Sequence, residues 1–107
     1  MSPLSKFTLG MLIASVNTLT IAGVTCNENI TSTILHSNGN VYFLSDKTCT
    51  TSWCQINWGT DDKNKKGLAM LLLAKATSKP VTFNWPNLNA CTEANPVYTS
   101  PPYMSLD

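Results

Sequence analysis

The sequence predicts a small, mainly β domain with one helix, an α+β or small-barrel fold held together by disulfide bonds. Three observations support this class. Short runs of β-branched and aromatic residues recur along the chain, one longer run has helical composition, and all four cysteines lie within residues 26–91. Several short strands around a single helix are typical of α+β folds and small barrels.

The clearest strands form a hairpin. Residues 30–37 and 41–44 are rich in β-branched and aromatic side chains, which favour strands. The pair Asn38-Gly39 stands between them, and an Asn-Gly pair between two such runs is the strongest short-range signal for a hairpin. We therefore predict two antiparallel strands here.

Further strands are indicated later in the chain. Residues 53–58 and 81–85 alternate with the period of two that is typical of strands, and a last short strand is expected within residues 97–104. The expected core face of the first of these strands carries Cys54, Ile56 and Trp58. In the second strand, one side carries Val81, Phe83 and Trp85.

The one clear helix begins after Thr60, whose side chain is a suitable N-cap. Acidic residues follow in the first turn, where the helix dipole favours them, and Pro80 stops the helix, so its end is expected near Thr77. We interpret the charged start, residues 61–66, as a solvated first turn and a half. The second half is apolar over most of its circumference, so we expect burial on more than one side.

The N-terminal residues have the order of a secretory signal peptide. Lys6 is followed by an uncharged, mostly apolar stretch over residues 7–22 and then by small residues. We therefore predict a signal peptide at residues 1–22, a single mature domain at residues 23–107, and a secreted or periplasmic location. The stretch is too short and too polar for a membrane span, which needs about 20 apolar residues, so no span is expected after cleavage. A buried N-terminal helix is the alternative, and a lipid-anchored Cys26 is a weaker one.

Four cysteines in a small exported chain are typical of two structural disulfides. A domain of this size buries too little surface to be robust without such cross-links. Cys49 and Cys54 are close enough in sequence for a short loop clip, which would leave Cys26 to pair with Cys91. The sequence leaves the other two connectivities open.

Charge and titratable residues argue against several function classes. All seven basic residues are lysines, and without arginine a nucleic-acid partner is not expected. His36 is the single histidine and has no companion that would make it a catalytic base. A zinc site would need clustered ligands. We therefore expect a protein that is not an enzyme and has no metal or cofactor.

Large aromatic rings are frequent for so small a domain and lie among small polar side chains. A flat ring flanked by Asn, Ser and Thr suits a sugar, because one sugar face is apolar while its hydroxyl groups form hydrogen bonds. This interpretation needs an exposed Trp85 at the end of its strand next to Pro86, whereas Trp58 is expected in the core. The candidate glycan-binding residues are Asn29, Thr31, Ser32, Asn84 and Trp85.

Several segments resemble the B subunits of bacterial subtilase cytotoxin and typhoid toxin. The matching segments are residues 30–36, residues 41–43, Trp53-Cys54, the helix and residues 76–83. That family has an aromatic residue at the position that matches Trp85. The resemblance implies a small exported OB-like barrel with one central helix. It also implies a homopentamer that binds sialylated glycans on host cells and joins an A subunit.

The leading hypothesis is a secreted, non-enzymatic binding subunit that recognises host cell-surface glycans or glycoproteins. The alternative is a secreted, disulfide-bonded inhibitor or protein-interaction module, which predicts a monomer with an exposed apolar patch. Neither hypothesis involves a cofactor.

Overall fold

The computed structural model describes residues 22–107, which contain six strands and one helix. The predicted signal peptide, residues 1–22, lies outside the described residues except for Ala22. The elements in chain order are β1 (Val24–Glu28), β2 (Ile30–Leu35), β3 (Val41–Ser45), β4 (Cys54–Ile56), α1 (Asp61–Thr77), β5 (Val81–Trp85) and β6 (Met104–Ser105).

One almost continuous strand takes part in both sheets, because only Asn29 separates β1 from β2. β1 pairs antiparallel with β5, and β2 pairs antiparallel with β3. The two sheets have the orders β1–β5–β6 and β2–β3–β4. The prediction of a mainly β domain with one helix is therefore confirmed. Within residues 22–107 no strand pairing joins β4 to β6, so a closed OB-like barrel is not confirmed.

Three strand assignments differ from the prediction. β4 covers only Cys54–Ile56 of the predicted residues 53–58. β1 is not predicted, because its inward-facing positions include Glu28, which is buried and interrupts the apolar alternation of Val24 and Cys26. No strand forms at residues 97–98, since Tyr98 has a φ of 64°, in the left-handed region that strands exclude. The final strand is β6 instead.

The helix has the predicted ends. The Thr60 hydroxyl accepts a hydrogen bond from the Lys63 N–H at 3.2 Å, and the chain leaves the helix at Ser78, whose φ is 56°. Burial is on one side only, and the expectation of several buried sides is wrong. The buried residues are Asn64, Gly67, Leu71 and Ala74. In contrast, Leu72 and Leu73 are 46% and 55% exposed.

Small and polar residues on α1 explain this orientation. A Cβ on Gly67 would lie 2.9 Å from Ile56 Cγ2, so glycine allows the helix to approach β4 closely. Asn64 is buried, unlike the other members of the charged start, which are exposed as expected. Its Oδ1 accepts from the Trp58 N–H at 2.8 Å and its Nδ2 donates to the Gly39 carbonyl at 2.9 Å. The first turn of α1 is therefore bonded to the hairpin turn.

The core contains a stack of three aromatic rings. Phe43 stacks on Phe83 with ring centroids 5.1 Å apart, and Phe83 stacks on Trp85 at 5.3 Å. Trp85 is fully buried, so the expectation of an exposed Trp85 is wrong. Its strand position places it on the same inward face as Phe83, and its indole N–H has a partner in the core. Trp58 packs half-buried against this core, in agreement with its predicted place.

The buried carboxylate of Glu28 is the hydrogen-bond partner of the Trp85 indole and the centre of a polar network. Oε1 accepts from the Ser45 hydroxyl at 2.5 Å and from the Thr48 N–H at 2.8 Å. Oε2 accepts from Trp85 Nε1 at 2.8 Å, and the Thr48 hydroxyl lies 2.9 Å from both oxygens. Asn95 Nδ2 in turn donates to the Thr48 hydroxyl at 3.0 Å. This network joins β1, β3, β5 and the C-terminal segment.

Two disulfides form, as predicted, and they have the connectivity that the sequence favours. Cys26 bonds to Cys91, and Cys49 bonds to Cys54. A sulfur in a disulfide has no thiol for lipid attachment, which argues against an anchor at Cys26. In the described part of the chain, no helix has the length and apolarity that a membrane span requires.

Removal of the long-range disulfide should cost more stability than removal of the short one. Cys26 and Cys91 are 65 residues apart, whereas Cys49 and Cys54 are 5 apart. In the chain-entropy description, these loops contribute about 4 and about 2 kcal/mol to the free energy of unfolding. Urea denaturation of the two double Cys→Ala variants measures both losses. Equal losses, or a larger loss for the short loop, would contradict the expectation.

Glu28→Gln should destabilise the domain although the two side chains have nearly the same shape. The Thr48 N–H donates to Oε1 of Glu28, and the Trp85 indole N–H donates to Oε2. Neither N–H group can act as an acceptor instead. The glutamine NH₂ would have to face one of these donors. An unsatisfied buried group of this kind costs about 1–3 kcal/mol.

Glu93→Gln is the matched control for this substitution. Glu93 is exposed and accepts from the Asn89 N–H, which the glutamine oxygen can also accept. Urea denaturation should place Glu93→Gln within about 0.5 kcal/mol of the parent, as for most surface substitutions. If both variants unfold at the same urea concentration, the network around Glu28 does not stabilise the fold as argued.

Candidate functional site

A polar cavity of about 430 Å³ lies beside the junction between β1 and β2. This junction forms one wall and the end of α1 forms the other, because α1 packs against β2. The residues that line the polar cavity are Asn29, Ile30, Ala74, Lys75, Ser78 and Lys79. Amide, hydroxyl and ammonium groups therefore meet at one place on the surface.

Asn29 is held in place by Asp46 at the end of β3. The Asn29 N–H donates to Asp46 Oδ1 and its Nδ2 donates to Asp46 Oδ2, both at 2.9 Å. The Asp46 N–H donates to the Asn29 carbonyl at 3.1 Å. With its nitrogen atoms engaged, Asn29 retains its side-chain oxygen as an acceptor for a ligand.

The helix end places the other polar groups. The left-handed conformation of Ser78 lets its N–H point back to the carbonyls of Ala74 and Lys75, and the Lys79 N–H donates to the Ala74 carbonyl at 2.9 Å. This C-cap turns the chain sharply after the helix. Lys75, Ser78 and Lys79 consequently come together although a helix end separates them.

The residues that line the polar cavity carry two positive charges, and the carboxylate of Asp46 is the negative charge that lies next to them, bonded to Asn29. In residues 22–107 the ion pair joins Lys66 to Asp62, so neither Lys75 nor Lys79 has a carboxylate partner in that part of the chain. Both lysines are exposed. Two ammonium groups beside a hydroxyl and an amide oxygen can bind a polar ligand that carries a carboxylate.

Only one of the predicted glycan-binding residues lines this cavity. Asn29 does, whereas Thr31 and Ser32 lie farther along β2, where the register between Ile30 and Ser32 is irregular. Asn84 pairs with Thr25 on the other sheet. Thr25 is four strand residues from Asn29, which corresponds to roughly 13 Å.

Trp85 lies in the core and cannot stack on a ligand in this fold. Sequence reasoning missed Lys75, Ser78 and Lys79 as site residues. Their position in the sequence could have indicated them. Ser78 and Lys79 immediately precede Pro80, where the chain has to leave the helix, and Lys75 lies one turn earlier.

Among residues 22–107 there is no cluster of three or more His, Cys, Asp or Glu side chains that could hold a metal ion. Comparisons with protein-family models, with curated proteins and with solved structures find no match to this chain. Its functional interpretation therefore depends on the geometry described above.

Proposed function

We propose that the mature chain is an exported, non-enzymatic binding module that recognises acidic glycans on host cells through the polar cavity. The observation that carries this proposal is the pair of lysines without carboxylate partners, Lys75 and Lys79, beside Asn29 and Ser78. A sugar with a carboxylate, such as the terminal residue of a sialylated glycan, offers one anionic group and several hydroxyl groups. The carboxylate can pair with the two lysines, and the hydroxyl groups can form hydrogen bonds with Asn29 and Ser78.

The dimensions and electrostatics of the cavity support a small ligand. A volume of about 430 Å³ lies in the range of roughly 300–1,000 Å³ that small-molecule sites occupy. Exposed lysines give modest, salt-screened attraction, so a single site would bind weakly. Several copies in one assembly would raise the overall affinity without any new contact. The homopentamer with an A subunit belongs to the proposal for this reason.

The OB-like barrel also belongs to the proposal. Its support is the element order, with four strands before the helix and two after it, and the almost continuous pair β1–β2, which takes part in both sheets. Near the open side, the Gln55 N–H donates to the Thr99 carbonyl at 2.9 Å. This bond brings the C-terminal segment alongside β4, where a barrel would have to close.

The two disulfides support export, because such bonds persist in oxidising compartments. A secreted or periplasmic location follows from the proposal together with the predicted signal peptide.

A second candidate function is a protein-interaction module, and the surface of α1 favours it. The side of α1 opposite the core carries what we call the exposed stripe, which consists of Ala69, Leu72, Leu73 and Ala76. Its spacing is that of a helix face that packs on another helix. Exposed leucines of this kind are typical of protein contacts when they form one patch.

The double variant Lys75→Ala/Lys79→Ala should lose affinity for sialylated oligosaccharides. The loss should be roughly tenfold or more, because removal of two cations from a carboxylate site forfeits at least 1.4 kcal/mol of binding free energy. Isothermal titration or a glycan array on the purified mature protein measures it. A higher salt concentration should also weaken the binding of these oligosaccharides by the parent protein.

Lys63→Ala/Lys65→Ala is the matched control, since it removes the same charge from exposed positions at the start of α1. This control should bind as the parent does. Equal losses in both double variants would assign the effect to net charge alone, and no binding of any sialylated glycan by the parent would end the proposal.

Solution mass separates the two candidate functions. The glycan-binding assembly predicts a mass of several chains for the oxidised mature protein, because single sites are weak and multivalency is needed. Light scattering coupled to size-exclusion chromatography measures it. A mass of one chain at micromolar concentration would favour the interaction module, in which the exposed stripe of α1 binds a different protein.

A further inference from the structure

A second cavity, which we call the aromatic cleft, lies on the outer face of the β2–β3–β4 sheet and measures about 220 Å³. It is lined by Ile34, His36, Tyr42, Trp53 and Tyr98. The rings of Tyr42 and Tyr98 have centroids 5.2 Å apart, and the ring of His36 meets Tyr42 edge-on at 5.9 Å. No residue of the polar cavity takes part.

The backbone of Tyr98 is held in an unfavourable conformation that keeps its ring outside. Its φ of 64° lies in the left-handed region, which is costly for a bulky residue. The Tyr98 N–H donates to the Trp53 carbonyl at 2.6 Å, and the neighbouring Thr99 carbonyl accepts from Gln55, so the segment is fixed beside β4. Tyr98 nevertheless remains 54% exposed. The fold therefore presents the ring of Tyr98 at the surface rather than in the core.

The polar tips of the cleft present hydrogen-bond donors. Asn38 Nδ2 donates to the Tyr42 hydroxyl at 3.0 Å, which leaves the phenol hydrogen for a ligand. The Asn38 N–H donates to His36 Nδ1 at 3.1 Å, so Nε2 carries the hydrogen in the neutral ring. Within residues 22–107, Trp53 Nε1 has no hydrogen-bond acceptor. The lining contains no lysine, aspartate or glutamate.

From these observations we infer that the aromatic cleft binds a neutral pyranose ring. The apolar face of the sugar stacks on the exposed ring of Tyr98, with the ring of Tyr42 tilted by 58° beside it, and its hydroxyl oxygens accept from the tips of Trp53 and His36. A cleft of about 220 Å³ accommodates roughly one ring, since it lies below the usual range for larger ligands. Without a charged lining, the cleft gives an acidic sugar no advantage. The inference extends the proposed glycan recognition to a second site and a second class of sugar.

Tyr98→Gly tests the inference, because glycine adopts the left-handed conformation freely and removes only the ring. The probes are methyl glycosides of galactose, glucose, mannose and N-acetylglucosamine, titrated while tryptophan fluorescence is recorded. At least one of them should bind the parent and bind Tyr98→Gly roughly tenfold or more weakly. The thermal midpoint of Tyr98→Gly should stay close to that of the parent, because relief of the left-handed strain offsets the lost ring contact and the greater freedom of the unfolded chain.

Tyr103→Gly is the matched control, because Tyr103 is 58% exposed but does not line the cleft. It should bind the glycosides as the parent does. Trp53→Phe should abolish the fluorescence response, whereas Trp58→Phe should retain it. This second pair keeps the test informative even if Tyr98→Gly folds poorly.

Three results would overturn the inference. One is a parent protein that binds none of the neutral glycosides, and another is Tyr98→Gly with unchanged binding. The third is a proline-rich peptide that changes the Trp53 fluorescence while no glycoside does. None of these results bears on the acidic site, because Lys75→Ala/Lys79→Ala removes sialylated ligands and should leave neutral glycosides bound. The two proposals can therefore fail separately.

Discussion

The buried carboxylate of Glu28 is the constraint on which the rest of the domain depends. It receives hydrogen bonds from Ser45 in β3, from Thr48 in the following loop and from Trp85 in β5. A buried carboxylate is costly without such partners, and here neutral donors supply the stabilisation that water would otherwise give. Glu28 immediately precedes Asn29, so the network also holds the junction at which the chain passes from one sheet to the other. Asn29, at this junction, lines the polar cavity.

The same network continues toward the aromatic cleft. Asn95 donates through its side chain to the Thr48 hydroxyl and through its N–H to the Thr48 carbonyl. It thereby anchors the segment that leads to Tyr98, whose N–H is bonded to the Trp53 carbonyl. The short disulfide at Cys54 fixes the residue next to Trp53. Two separate surface sites thus adjoin segments that one set of buried polar contacts holds in place.

Local patterns predict the parts of this fold that local interactions determine. The hairpin, both ends of α1 and the alternation of β5 depend on residues close in sequence, and the structure agrees with them. The burial of Trp85 could not be predicted in this way, because its partner Glu28 lies 57 residues earlier in the chain. The outward position of Leu72 has a similar cause. The core side of α1 carries Leu71 but also Gly67, which allows the helix to approach β4 closely, so Leu72 and Leu73 point away. The position of Lys79 at a cavity likewise requires the C-cap and the junction between β1 and β2 together.

The two sites differ in the force that would select their ligands. Asn29 and Ile34 stand at opposite ends of β2, separated by five residues or roughly 16 Å along the strand. At the first end, Lys75 and Lys79 attract anions over a distance that depends on salt. At the second end, ring stacking and short hydrogen bonds act only on contact and are nearly independent of salt. Under the two proposals, a glycan that carries an acidic terminus and a neutral core offers one group for each end. Such a glycan would contact both sites at once and would bind more tightly than a ligand that reaches only one of them.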